Sequence, residues 1–168
     1  NGQYHSKGNI LTGKKDGKWT WWDENGQIKQ VGNHKDGNLV SRTNYYYFEN
    51  GQIRREENHK EGKQVHQDGK WTWWFENGQI KQAGNYKDGD QVGKWTYWHE
   101  NNQVNEERSY NDGNLVSRTN YYYFENAFAL EDRFESVKQI RREENHKDGK
   151  KDGKWTWWFE NGQIKQAG

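Results

Sequence analysis

The stretch KDGKWTWWFENGQIKQAG, residues 151–168, decides the fold of this chain. Its first half is rich in Trp and Thr, which favour β-strands. Asn161-Gly162 then gives the strongest short-range indication of a tight turn between antiparallel strands, and the residues after it suit a return strand. Asp152-Gly153 marks another turn before the first strand. The stretch therefore predicts a β-hairpin with a turn leading into it.

The same phrase recurs along all 168 residues, and a Glu precedes its turn at positions 24, 49, 76, 100, 125 and 160. A period of about 24 residues is typical of an array in which each unit packs on its neighbours. The opening and closing residues match parts of a unit, so we expect a window cut from a longer array. We predict one array over 1–168, consisting of a half repeat at 1–15 and repeats at about 16–35, 36–60, 61–87, 88–111, 112–147 and 148–168.

The composition limits the class of protein. Mean hydropathy is −1.60, yet 16% of residues are aromatic, so rings carry the apolar surface and the chain does not resemble a disordered segment. The net charge of +1 disfavours nucleic acid as a partner. There is no Cys, and no apolar run is long enough to span a bilayer. The chain begins at Asn1 without a Met, so a targeting segment could lie outside it.

The turns and the absence of Pro predict an all-β fold: an elongated, single-layer antiparallel meander of stacked hairpins. If Asn25-Gly26 is a two-residue type I′ turn, Trp19 lies opposite Gly32 and Trp22 opposite Lys29. Counting outward from the turn in the same way places Trp71 opposite Gly84, Trp155 opposite Gly168 and Trp95 opposite Arg108. In the Tyr-rich units it places Asn44 opposite Glu57 and Asn120 opposite Glu144. One hairpin cannot bury its own rings, so each unit needs the next.

Alternation along a strand separates Trp19 and Trp21 on one face from Trp22 on the other. The second face is predicted to carry a set of six rings, which we call the ring set: Trp22, Tyr47, Trp74, Trp98, Tyr123 and Trp158. The count places beside them Lys29, Arg54, Lys81, Asn105, Arg141 and Lys165. Two interpretations stay open. The set either stabilises an exposed sheet or forms a flat strip that binds a protein or a glycan.

Residues 127–138 interrupt the repeat, because twelve residues stand in the fifth unit where the second has a single Gly. Ala127, Leu130, Phe134 and Val137 follow helical spacing, so a short helix is predicted, with Phe128 beside this seam. We expect the flanking strands to keep the register of the second unit, with Phe124 opposite Ile140. The insert is either a tolerated loop or a docking element.

The pattern G-K-W-x-W/Y-W/Y-x-E-N-G-Q, followed by a strand and G-N-Y/H-K-D-G-K, resembles the bacterial variant of the MORN repeat, whose relatives are often labelled antitoxin-like. The first unit fits in order at Gly17, Lys18, Trp19, Trp22, Asn25, Gly26, Gln27, Gly32 and Gly37. The resemblance covers nearly all of the chain except 127–138. Units two and five depart from it, with Arg42 and Arg118 in place of a Gly. It implies a ribbon of stacked hairpins without catalysis.

No catalytic residue, metal ligand or cofactor is predicted. Six His stand at positions 5, 34, 59, 66, 99 and 146, but three of them occupy a repeat position that Tyr86 and Tyr110 fill elsewhere, which indicates packing. The predicted function is a scaffold for a protein partner or for self-association. A glycan-binding solenoid similar to choline- or glucan-binding repeats and a fibre-forming protein are the alternatives. Bacterial cytoplasm and cell surface both stay open.

Overall fold

The computed structural model describes residues 5–61, 66–125, 136–147, 150–159 and 161–168. The chain forms two compact units, 1–90 and 91–168. The strands of the first unit are β1 Ser6–Leu11, β2 Lys14–Trp22, β3 Ile28–Lys35, β4 Asn38–Tyr47, β5 Ile53–Lys60, β6 His66–Gln67, β7 Gly69–Trp74 and β8 Ile80–Lys87. Those that follow are β9 Asp90–Trp98, β10 Val104–Asn111, β11 Asn114–Glu125, β12 Ser136–Lys147, β13 Lys150–Trp158 and β14 Ile164–Ala167.

Within each unit the strands pair antiparallel with their neighbours along the chain, which confirms the predicted all-β meander. The order is β1-β2-β3-β4-β5-β7-β8 in the first unit, where β6 also pairs with β5, and β9-β10-β11-β12-β13-β14 in the second. We number the hairpins one (β2–β3), two (β4–β5), three (β7–β8), four (β9–β10), five (β11–β12) and six (β13–β14). The described residues contain no helix, and hence none that could cross a membrane.

The Asn-Gly turns are longer than predicted. In hairpin one, the Asp23 amide donates to the Gln27 carbonyl (2.9 Å) and the Gly26 amide donates to the Asp23 carbonyl (3.1 Å), which leaves three residues in the loop. Gly26 has a positive φ of 80°, whereas Asn25 does not. The type I′ prediction is therefore wrong, because this is a three-residue loop that ends in a left-handed residue. In hairpin four, Asn102 takes the left-handed position, at φ 66°, because Asn adopts this conformation more readily than most residues do.

The Asp-Gly turns at the opposite ends of the strands have two residues. Asp36 and Gly37 both have positive φ, 52° and 88°, and Lys35 pairs directly with Asn38. Two left-handed central residues define a type I′ turn, whose twist matches that of the strands. The Gly37 amide also donates to the Lys15 carbonyl of the preceding strand (3.0 Å), and Gly89 and Gly113 make the corresponding bonds to Gln67 and Gln91. These bonds hold the Gly37 turn to β2, the Gly89 turn to β6 and the Gly113 turn to β9.

The longer loop adds a β-bulge near the tips of hairpins one, two, three, four and six, whereas the bulge of hairpin five lies between Asn120 and Tyr121 of β11. In hairpin one, Trp19 pairs with Gly32 and Trp21 with Gln30, as predicted, but Trp22 pairs with Ile28. The predicted pair of Trp22 with Lys29 is wrong, because Lys29 is the extra residue of the bulge. Trp71 opposite Gly84, Trp95 opposite Arg108 and Asn44 opposite Glu57 are confirmed. Trp155 and Gly168 exchange both backbone hydrogen bonds, which confirms that pair as well.

The buried hydrophobic side chains among the described residues are Trp19, Trp71 and Trp95, exposed by 9%, 4% and 1%. They lie on the face where the sequence predicted more rings per strand. Trp71 packs against His59, Trp73 and Tyr86 with ring centroids 5.0–5.6 Å apart. A Cβ added to Gly168 would lie 2.7 Å from the Trp155 ring, so the absence of a side chain there lets the ring cover the backbone.

Hairpin five does not keep the register of hairpin two. Asn120 pairs with Arg142 and Arg118 with Glu144, so the predicted pair of Asn120 with Glu144 is wrong. The return strand has slipped by two residues against β11. The neighbouring ladders have not slipped: β11 pairs with β10 as β4 pairs with β3, and β12 pairs with β13 as β5 pairs with β7. The slip is therefore confined to the ladder between β11 and β12.

The same ladder extends into the predicted helical insert. Val137 pairs with Phe124 and Lys138 with Tyr123, so the helix predicted over 127–138 is wrong at 136–138. Strand pairing satisfies the backbone groups of these residues through β11, and β-branched Val137 suits a strand. The predicted pair of Phe124 with Ile140 is also wrong, since Ile140 pairs with Tyr121. Phe128, Leu130 and Phe134 lie outside the described residues.

Candidate functional site

The six members of the ring set lie at the tip-proximal ends of the outgoing strands, and all six are half-buried. Five of them pair with an aliphatic residue of the return strand: Trp22 with Ile28, Tyr47 with Ile53, Trp74 with Ile80, Trp98 with Val104 and Trp158 with Ile164. Tyr123 is the exception, because the slip pairs it with Lys138. The bulge thus makes the surface beside the rings more apolar than the sequence predicted.

The residues predicted to face the rings are the bulge residues, which we call the bulge set: Lys29, Arg54, Lys81, Asn105, Arg141 and Lys165. A bulge residue has no partner opposite it in the ladder, and bulges re-aim side chains. Two of these cations lie over a ring near the tip, since the Nζ atoms of Lys81 and Lys165 are each 5.5 Å from the centroids of Phe75 and Phe159. Every hairpin therefore presents an aliphatic residue and a re-aimed polar or cationic residue side by side.

Hydrogen bonds hold neighbouring rings and tips together in the first unit. The Tyr47 hydroxyl donates to the Ile28 carbonyl of the preceding hairpin (2.7 Å). At the tips, the Gln27 side chain donates to the Gly51 carbonyl (3.1 Å) and the Asn50 side chain to the Glu76 carbonyl (3.3 Å). The tips of hairpins one, two and three consequently lie level with one another.

The histidines of the repeats pack against rings. The His34 ring lies 6.2 Å from Trp19 and 5.7 Å from Trp21, and His59 lies 5.2 Å from Trp71. Burial, and secondarily the charge of Lys15, lowers the pKa of His34, which favours a neutral ring. In the part of the chain that the structure describes, no three His, Cys, Asp or Glu side chains are grouped as metal ligands would be.

Three buried carboxylates were missed from the sequence: Glu57, Glu106 and Glu144, which are 7%, 8% and 1% exposed. Glu57 pairs with Arg55 (2.6 Å) and accepts a hydrogen bond from the Tyr46 hydroxyl (3.3 Å). Glu106 accepts two hydrogen bonds from Arg108, at 2.8 and 3.1 Å. An Arg two residues from a Glu in a strand lies on the same face, so this spacing could have indicated the pairs.

Glu144 is the most deeply buried of the three. Its Oε1 lies 2.5 Å from Arg142 Nη2 and 2.6 Å from Lys151 Nζ. Burial by itself raises the pKa of Glu144, but hydrogen bonds from Lys151 and Arg142 outweigh that effect, so the pKa is lowered overall. Arg142 also lies 5.0 Å from the Trp157 ring centroid. These ion pairs fill the face of the sheet where hairpin five carries no Trp.

The slip in hairpin five produces a groove at the tip of hairpin six. Two residues correspond to about 7 Å along a strand, so hairpin six ends short of hairpin five. The Tyr122 hydroxyl reaches the Phe159 carbonyl at this step (2.6 Å). The groove, of about 630 Å³, is called the step groove and is lined by Tyr122, Arg141, Trp158, Phe159, Asn161, Gln163 and Lys165.

A second groove of about 370 Å³ adjoins the step groove and shares Arg141, Trp158 and Lys165 with it. Of the predicted site residues, the structure thus brings Trp158 together with two cations of the bulge set. Asn105 lines the second groove, whereas Trp22 and Lys29 line a separate one in hairpin one. The step groove could not be found from the sequence, because it depends on the slip.

The model of a family described as MORN repeat variant matches five segments of the chain: 15–36, 43–61, 67–88, 91–112 and 151–168. These segments make up more than half of the sequence and contain five of the six members of the ring set, Tyr123 being the exception. No curated protein matches the chain.

Proposed function

The chain belongs to the MORN repeat variant family, and from that premise we propose that it is a scaffold that binds a partner protein along the tip-proximal ends of its hairpins. Repeats of this family suggest a non-catalytic scaffold, commonly one that binds protein or membrane. The observation that carries the proposal is the exposed isoleucine paired with three of the half-buried rings. Ile28 and Ile53, which pair with Trp22 and Tyr47, are each 37% exposed, and Ile164, which pairs with Trp158, is 62% exposed.

A periodic apolar surface of this kind suits a protein partner. Antiparallel strands lie about 4.8 Å apart, so hairpins one to three, which lie in one unit, repeat a ring and an isoleucine about every 10 Å. Rings in interfaces supply large contact areas at a small cost in conformational entropy, and aromatic residues are enriched at binding hot spots. The Tyr47 bond to the Ile28 carbonyl holds the first two repeats of this surface in place.

The charge pattern favours protein over membrane. The cations of the bulge set in the first three hairpins, Lys29, Arg54 and Lys81, alternate with a Glu at the tip of each, namely Glu24, Glu49 and Glu76. Binding to an anionic leaflet needs clusters of basic residues, because each cation adds about 1 kcal/mol near the surface. Interspersed acids remove that advantage, whereas they allow specific pairing with a protein surface.

Selection of peptides from a displayed random library tests the proposal. Peptides enriched on the immobilised chain should bind roughly tenfold more weakly to Ile28→Thr/Ile53→Thr, because that variant loses apolar contact area. The control variant Ile10→Thr/Val40→Thr changes two aliphatic residues that are more exposed, at 67% and 44%, and that do not pair with the ring set.

Two results would contradict a protein-binding role for this surface. The first is an equal loss of binding in both variants. The second is an absence of enriched peptides together with sedimentation of the chain on vesicles that contain phosphatidylserine.

A further inference from the structure

Two cations, Arg141 and Lys165, are among the described lining residues of the step groove. The corresponding groove of hairpin one, of about 430 Å³, holds Lys29 together with Asp23 and Glu24, and the repeat position of Asp23 is taken by Phe159 in the step groove. We propose that the step groove binds an acidic, partly apolar peptide segment of the partner protein, an inference that rests on the proposed function.

The cations of the groove are available to a ligand. Arg141 is exposed and has no ion pair within the described residues. Its neighbour Arg142, which lines the adjoining groove, is already held by Glu144. The planar guanidinium of an Arg binds a carboxylate through two parallel hydrogen bonds, and the Lys165 ammonium adds a second charge. Two carboxylates of an extended segment could therefore be held at once.

The apolar residues in and next to the groove favour a peptide over an acidic sugar. Trp158 is half-buried and Phe159 is 48% exposed, so both offer ring surface. Ile164 does not line the groove, but it pairs with Trp158, which does, and is 62% exposed. An aliphatic side chain suits the apolar residues of a peptide, whereas it gives a sugar neither a stacking face nor a hydrogen bond. The apolar side chains of the segment would lie on Trp158, Phe159 and Ile164 between the two carboxylates.

The chain contains a matched control for this site. Hairpins two and three carry the same residue types at the equivalent positions, including Tyr46, Arg54, Trp74 and Lys81. There the register has not slipped, and the Tyr46 hydroxyl donates to Glu57 instead of reaching the next tip. Substitutions of the same chemistry can therefore be compared between a stepped pair and a level pair of hairpins in one protein.

Fluorescence anisotropy with a labelled peptide of alternating Glu and Leu tests the proposal on the full chain. The variant Arg141→Ala/Lys165→Ala should weaken binding roughly tenfold at low salt, because it removes two ion pairs with the ligand. The matched variant Arg54→Ala/Lys81→Ala should change the dissociation constant less than about twofold. A peptide with Lys in place of Glu should bind the chain more than about tenfold more weakly, and added salt should reduce the difference.

Each other outcome overturns the inference in a recognisable way. Equal effects of the two double variants would show that the step does not create a specific site. Binding of an oligogalacturonate with the same dependence on Arg141 and Lys165, without binding of the acidic peptide, would assign the groove to a sugar. If library-selected peptides depend on Ile28 and Ile53 but are neutral and insensitive to Arg141→Ala/Lys165→Ala, the proposed function stands and the acidic ligand is wrong.

Discussion

Hairpins two and five contain the same two sequence segments, NLVSRTNYYYFEN and QIRREENHK, but the segments pair in a different register in each hairpin. In hairpin two, the two segments are joined by a three-residue loop that Phe48 and Gln52 close, with Gly51 in the left-handed conformation. In hairpin five, twelve inserted residues separate them, and the ladder continues to the pair of Glu125 with Ser136. A tight loop sets the register of a hairpin, and a long insertion removes that constraint.

The comparison also shows what a two-residue slip preserves. Because side chains alternate with a period of two, each residue of β12 stays on its original face. Glu57 and Glu144 are thus both buried, but their partners differ. Tyr46 bonds Glu57 in hairpin two, whereas Tyr122 reaches Phe159 and Lys151 joins Glu144 in hairpin five. The core survives the slip, and the surface at the tips changes.

The largest effects on stability are expected from Trp71 and Trp155, which lie in the hairpins that follow hairpins two and five. Trp71→Ala should cost about 3–5 kcal/mol, because it removes a buried ring that packs on three others. Trp155→Ala should cost less than Trp71→Ala, since Trp155 is half-buried. Both should exceed the costs of Trp74→Ala and Trp158→Ala, which remove members of the ring set. Urea unfolding measures all four, and equal midpoints would show that the two faces have been assigned wrongly.

The buried carboxylates should give the next largest difference. Glu144→Gln removes ion pairs with two cations and should cost about 1.5–3 kcal/mol, whereas Glu57→Gln removes one ion pair, with Arg55, keeps an acceptor for Tyr46 and should cost less. Urea unfolding of both variants checks the order. A larger cost at Glu57 would contradict the distinction drawn between the two hairpins.

Glu144 should also make the free energy of unfolding depend on pH in the acidic range. Its pKa is lowered from the ordinary value of 4.5, so the folded state holds the proton less tightly than the unfolded state does. Its contribution is therefore present above about pH 4.5 and is lost as the pH falls through the folded pKa. The difference in free energy of unfolding between the wild-type chain and Glu144→Gln should shrink below pH 4.5. A constant difference down to pH 2 would contradict this assignment.

The tyrosine hydroxyls should give the smallest effects. Tyr122→Phe removes a 2.6 Å bond to a backbone carbonyl that bridges two hairpins, and should cost about 1 kcal/mol. Tyr46→Phe removes a longer bond of 3.3 Å from a side chain that is 39% exposed, and should cost less. Thermal unfolding of the two variants checks the order. Equal shifts would indicate that Tyr122 does not reach the tip of hairpin six.

Much of the fold was predictable because each repeat carries residues that favour strands and residues that favour turns at regular positions. Trp and Thr in the strands, together with the Asn-Gly and Asp-Gly turns, gave the meander. The pairs of Trp19 with Gly32 and Trp71 with Gly84 confirmed the register of the Trp-bearing hairpins. The bulge was missed because Asn-Gly suits both a two-residue loop and a longer one. In hairpin one the Asp23 side chain favours the longer loop, since its Oδ1 accepts the amides of Asn25 and Gln27.

The candidate site was predictable only in part. The ring set follows from alternation along the strands, and its half-buried state agrees with a role at the surface. The slip could not be predicted, because side chains alternate between the two faces of a sheet with a period of two residues. A shift of two residues therefore keeps the same side chains buried, and the sequence pattern fits both registers equally well. The step groove therefore emerges only from the pairing of β11 with β12 and of Tyr122 with Phe159.

Cross-strand disulfide formation measures that register most directly, and the chain has no Cys of its own to interfere. In the slipped register Thr119 lies opposite Glu143, whereas the register of hairpin two would place Asn145 there, as Asn58 lies opposite Thr43. A disulfide needs Cα atoms about 4.4–6.8 Å apart, and a residue two positions further lies about 7–8 Å away.

We expect Thr119→Cys/Glu143→Cys to oxidise to a cross-linked chain and Thr119→Cys/Asn145→Cys to remain reduced. Thr43→Cys/Asn58→Cys should cross-link as the control from hairpin two. Replacement of 127–138 by a single Gly should reverse the preference in hairpin five, because it restores the tight loop. Cross-linking of the 119/145 pair, and not the 119/143 pair, in the unaltered chain would contradict the slip and the step groove that depends on it.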